Sequence, residues 1–148
     1  MRRFTHTFPQ RISAFLLCLA LLVGLLPLSA LAANEATVYV GSVALTGSKE
    51  TPAYATTDAD GNVTTKDATA ENYNIKWDGS TLTLRNATIQ QAEEYSEKNN
   101  EKIAVYRASG DLNLVLVGEN TVDAQGNGSA ASCGINLGSG SLTISGEN

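Results

Sequence analysis

The chain has 148 residues with 10 Lys+Arg, 15 Asp+Glu and one histidine. Arg2, Arg3, Arg11 and that histidine, His6, all sit in an export-signal pattern, so the exported part keeps 7 basic against 15 acidic residues, a net charge of −8. That balance argues against nucleic acid and anionic membrane surfaces as partners, and the loss of His6 with the signal excludes Ser-His-Asp, Cys-His and histidine-metal chemistry from the exported part.

In chain order, the basic start is followed by the apolar run Ala14 to Leu26, then Pro27 and the small residues Ser29-Ala30-Leu31-Ala32-Ala33. Ala30 and Ala32 fit an A-x-A cleavage site, which predicts a signal peptide over 1–32 cut after Ala32. The run is shorter than the roughly 20 residues of a spanning helix, so membrane contact is expected only in transit. The protein is expected to be secreted or held at the cell surface. Cys18 goes with the signal, which leaves Cys133 alone and no internal disulfide.

Residues 33–78 read as an N-terminal cap and hairpin region. Thr37 to Val40 and Val43 to Leu45 are short strands around Gly41-Ser42. Tyr54 to Thr57 and Val63 to Thr65 flank Asp58-Ala59-Asp60-Gly61-Asn62, which is turn chemistry. As a calcium loop this segment would need Gly sixth and Glu twelfth; Gly61 is fourth and Thr69 twelfth, so the turn reading is preferred. Asn72 to Asp78 alternates, placing Tyr73, Ile75 and Trp77 on one face, with Trp77 read as core.

From residue 79 the pattern repeats. Leu82, Leu112 and Leu142 are spaced by 30 and 30, Ile103-Ala104-Val105-Tyr106 aligns with Cys133-Gly134-Ile135-Asn136, and Gly118-Glu119-Asn120 recurs as Gly146-Glu147-Asn148. Alternation within each copy predicts strands, and a period in this range is the signature of a stacked solenoid. The expected fold is all-β: a right-handed parallel β-helix over 79–148, about 30 residues per rung, with rungs about 4.8 Å apart. Leu82/Leu112/Leu142 would form an inward ladder, Ile103/Cys133 and Val105/Ile135 the opposite wall, and Cys133 a buried filler. Gln90 to Lys102 reads as a loop inserted beside the first rung. The third copy stops at Asn148, so the sequence is expected to be a piece of a longer protein whose further domains are its partners.

The export signal, Tyr39-Val40-Gly41, Thr57 to Asn62, Asn72 to Gly79, Leu82 to Ile89 and Gly118 to Thr121 together resemble the N-terminal repeats of large secreted or wall-attached proteins of Gram-positive bacteria. More loosely, the chain is similar to a β-helical carbohydrate-binding family that binds plant-wall polysaccharides such as pectin with the help of calcium. The resemblance implies a polysaccharide or cell-wall partner and raises calcium as a cofactor. No acidic cluster in the repeats matches that family's ligands, so no metal site is assigned, and no other cofactor is expected.

A glycan site calls for exposed aromatic rings with polar groups beside them. Tyr106, turned outward next to Arg107, and Tyr95 in the inserted loop are the aromatic candidates. Thr83, Asn113 and Thr143 would form an outward polar ladder, with Arg85 next to it to meet a carboxylate. No catalytic residues are assigned: Asp111, Glu119, Asp123 and Glu147 are the only acids of the repeats, and Glu119 and Glu147 belong to a recurring turn motif. The expected function is a non-catalytic carbohydrate-interaction module. The alternatives are a structural stalk or adhesin spacer and, behind it, a polysaccharide lyase or hydrolase fragment, which the fold permits without any signature for it.

Overall fold

The computed structural model describes residues 36–90, 92–94, 101–125 and 132–147, all within the unit Ala33–Asn148. The predicted signal peptide and Tyr95 lie outside the described residues. Among the described residues thirteen strands follow one another: β1 (Ala36–Val40), β2 (Val43–Gly47), β3 (Ala53–Thr57), β4 (Val63–Thr64), β5 (Ile75–Trp77), β6 (Thr81–Arg85), β7 (Thr88–Ile89), β8 (Glu93–Glu94), β9 (Lys102–Arg107), β10 (Leu112–Val117), β11 (Thr121–Val122), β12 (Ser132–Leu137) and β13 (Leu142–Glu147). They form a five-stranded sheet ordered β12-β9-β1-β2 with β8 also on β9, a six-stranded sheet ordered β13-β10-β6-β5-β3-β4, and a two-stranded pair β11-β7.

The all-β expectation stands, but the expected parallel β-helix does not, because the sheets are mixed. Among the described residues, parallel pairing is confined to β6-β10-β13, β9-β12 and β7-β11. In the same sheets β1-β2, β1-β9, β8-β9, β3-β5 and β5-β6 run antiparallel. For β1-β2 and β5-β6 the cause is connection length, since a parallel pair needs a crossover of about a dozen residues or more. Only Gly41-Ser42 separates β1 from β2, and Gly41 turns the chain with φ 58°. Asp78 to Ser80 reverse β5 into β6, held by the Asp78 carboxylate, which accepts the N–H of Ser80 (3.0 Å) and Thr81 (2.7 Å). The inserted segment is not wholly loop either, because Glu93–Glu94 pairs with β9.

Register corrects the inward ladder as well. Leu112 faces Leu142, yet Leu82 faces Leu114, an offset of 32 where the repeat predicts 30. Ile103/Cys133 and Val105/Ile135 do pair. Cys133 is half-buried rather than buried, its Sγ–H donating to Ile135 O at 3.0 Å. Gly118 stands in a turn with φ 68°, whereas Gly146 lies in β13 opposite Leu116, so these two glycines do not share a structural role. At that turn Asn86 Oδ1 accepts the Glu119 N–H (3.1 Å) and Asn120 Oδ1 accepts the Ala87 N–H (2.9 Å). A side chain at Gly118 would collide with the Asn86 amide.

The core lies between the sheets' inner faces, where Trp77, Leu45, Ile75, Leu82 and Leu84 are buried. Full burial of each aliphatic side chain contributes roughly 1.5–3 kcal/mol. Trp77 Nε1–H donates to Ala36 O at 2.7 Å, which ties β5 to the start of β1. The Arg107 guanidinium sits 4.9 Å from the Trp77 ring centroid and donates to the carbonyls of Ser109 (2.8 Å), Gly79 (3.3 Å) and Asp111. Burial lowers its pKa and the Asp111 carboxylate opposes that shift, but a guanidinium stays charged in either case. Arg107 is therefore a clamp between two turns.

Candidate functional site

The outward positions of the six-stranded sheet carry the polar groups anticipated from the sequence, in a different arrangement. Asn113 on β10 lies between Thr143 on β13 and Thr81 on β6. Thr83 is not in that row. The two-residue slip between β6 and β10 places it between Val115 and Lys76, so the predicted Thr83/Asn113/Thr143 ladder is broken at its first member. Lys76 in turn lies opposite Tyr54 on β3.

Around Lys76 the face becomes aromatic. Tyr54 and Tyr73 are both half-exposed, their ring centroids 5.3 Å apart and their planes tilted by 47°. Exposed Arg85, at the end of β6, donates from Nη2 to the Tyr73 hydroxyl at 3.0 Å and holds its guanidinium 4.6 Å from the Tyr73 ring centroid. Asn74 fixes the spacing: its carbonyl accepts the Arg85 N–H (2.7 Å), its Nδ2 donates to Arg85 O (3.0 Å) and its Oδ1 accepts the Thr57 N–H (3.2 Å). Among the described residues the Tyr54 hydroxyl, the Lys76 ammonium and the remaining Arg85 N–H groups have no hydrogen-bond partner. The structure thus brings Arg85 and Thr83 together with Tyr54, Tyr73 and Lys76, which the sequence reading left out.

Tyr73 escaped because alternation assigned it to the face of Ile75 and Trp77. Those two are buried, whereas Tyr73 precedes the strand and turns onto the opposite face with Tyr54. Tyr54 carried a usable signal, as the one large residue flanked by Ala53 and Ala55 in a strand where Ala55 is buried. Tyr106 is on the other large sheet, half-buried, opposite Tyr39 and Asn136, with its ring 6.2 Å from that of Tyr39. Tyr106 therefore does not join Arg85, Asn113 or Thr143.

Several acids of the described residues serve turns. Asp58 Oδ1 accepts the N–H groups of Asp60 (2.9 Å) and Asn62 (2.8 Å), and its Oδ2 accepts Asn62 Nδ2–H (2.8 Å). The Asn62 amide, followed by those backbone donors, holds the Asp58 carboxyl below the ordinary carboxylate pKa. The Asp58 carboxylate thus anchors the turn between β3 and β4. Partial burial pushes Asp78 up, but the bonds from Thr81 and Ser80 and the charge of Lys76 outweigh it and leave its pKa lowered. Asp111 Oδ1 accepts the Ser141 N–H at 2.8 Å, across the β10-β13 turns. Among the described residues no group of three His, Cys, Asp or Glu is placed to hold a metal ion. No family model, curated protein or solved structure matches the chain.

Proposed function

We propose that the protein is an exported, non-catalytic carbohydrate-interaction module and that its site is the Tyr54–Tyr73–Lys76–Thr83–Arg85 face. One observation carries this reading: two half-buried tyrosine rings stand side by side, bordered by the Lys76 ammonium, the Tyr54 and Thr83 hydroxyls and the Arg85 N–H groups left over from its bond to Tyr73. Sugar rings present C–H faces that lie on aromatic rings, while their hydroxyls take hydrogen bonds from groups around the rim, so both halves of the requirement are met. The sheet supplies rigidity, because Tyr54, Lys76 and Thr83 are successive cross-strand neighbours. Export rests on the arginine-rich, apolar and small-residue succession of the first 32 residues.

The test is affinity electrophoresis of the purified full chain through gels containing different polysaccharides. Retarded migration is expected, and Tyr54→Ala or Tyr73→Ala should each abolish most of it while leaving far-UV circular dichroism unchanged. Retardation that survives both changes would move the site elsewhere, with Tyr106→Ala as the next variant. No retardation by any polysaccharide would leave the protein as a stalk or spacer.

A further inference from the structure

The charges on this face narrow the ligand further, given the glycan-binding reading above. The exported part carries −8 overall, a surface that as a whole repels polyanions. Two of its seven cations nevertheless share one face with the tyrosine pair: Lys76 opposite both Tyr54 and Thr83, and Arg85 against the Tyr73 ring. Three acids lie near them in register, and Glu119, two residues past the Val117 that pairs with Arg85, donates its N–H to Asn86 Oδ1 beside Arg85. Asp78 lies two residues from Lys76 and feels its charge, but one of its carboxylate oxygens is bonded to Ser80 and Thr81 within its own turn. Glu147 and Arg85 flank Val117 from opposite sides, which puts them two strand spacings apart, about 10 Å.

A neutral sugar would use neither charge, although Lys76 already has the Asp78 carboxylate near it. We infer that this face takes an anionic glycan directly: a sugar ring rests on Tyr54 or Tyr73 while its carboxylate or phosphate sits between Lys76 and Arg85, with no bridging metal ion. Arg85 suits the task because its contact with Tyr73 pre-orients the guanidinium, and charge-assisted hydrogen bonds are roughly twice as strong as neutral ones.

The experiment compares matched polymers with the full chain: a glucuronic-acid polymer against its carboxyl-reduced form, and a phosphomannan against its dephosphorylated form. At least one anionic member should bind about tenfold more tightly than its neutral partner, and which pair shows the gap identifies the anion. Lys76→Gln and Arg85→Gln should each shrink the gap between the anionic and the neutral member; Lys76→Gln covers the case in which the Arg85 variant disturbs Tyr73. Chelation with EDTA should change nothing. Equal binding within both pairs would overturn the inference and leave the glycan reading standing, whereas binding to none of the four would remove both. A gap abolished by EDTA would show a metal bridge and overturn direct contact.

Discussion

Asp111-Leu112-Asn113-Leu114 and Ser141-Leu142-Thr143-Ile144 are the same sentence written twice. Leu112 faces Leu142 and Leu114 faces Ile144 on adjacent parallel strands. Their environments are opposite: Leu112 and Leu114 are buried, while Leu142 is 40% and Ile144 55% exposed. The pattern of a strand says which side is apolar. Burial depends on what lies beyond it, and β10 is flanked by β6 and β13 where β13 has β10 alone among the described strands. At the other end of the sheet β5 and β3 close the core around Trp77 with antiparallel neighbours.

That contrast can be broken by mutation. The largest effect is expected at the closed end, where Trp77→Ala removes a fully buried indole, its bond to Ala36 and the ring beneath Arg107. A loss of about 3–5 kcal/mol is expected, read from urea denaturation; a loss below about 1 kcal/mol would show that the closed end is not where the fold is held. Next, Leu114→Ala should cost about 2–5 kcal/mol and Ile144→Ala less than about 1 kcal/mol, although the two residues are register partners. Equal costs would mean that something covers β13 in solution.

The smallest effect concerns the turn between β3 and β4. The folded pKa of Asp58 is depressed below its unfolded value, so its contribution is complete above the ordinary carboxylate pKa of about 4 and is lost as pH falls through the depressed value. Asp58→Ala should therefore lower Tm slightly at pH 7, and the difference from wild type should narrow on acidification below about pH 4. A difference that stays constant with pH would show that the Asp58 bonds do not depend on its charge.

Local signals were legible in the sequence. Gly41-Ser42 and Asp58 to Asn62 announced their turns, and the equal spacing of Ile103/Cys133 and Leu112/Leu142 announced two correct pairings. What escaped was anything that alternation cannot express. A slip of two residues keeps every side chain on its own face, so the true Leu82–Leu114 partnership looks as good as the expected Leu82–Leu112. Strand direction is equally invisible to alternation, which is why the antiparallel pairing of β5 with β6 and of β1 with β9 was not foreseen. The site was half legible, since Arg85 and Thr83 came from alternation, while Tyr73 stands just outside the strand whose alternation was extended to it.

The turn at Gly118 to Asn120 holds a further consequence. Arg85 pairs with Val117 at a separation of 32, yet just past the turn Thr88 pairs with Thr121 at 33. One extra residue has been taken up between β10 and β11 without reversing the facing of either strand, through the asparagine bonds and a glycine that tolerates the bend. Evolutionary gaps should thus fall by different rules in the two settings. Corners can gain or lose residues singly, whereas a single residue added within a strand must be taken up as a bulge or it flips every side chain beyond it, so single-residue gaps should concentrate at the corners.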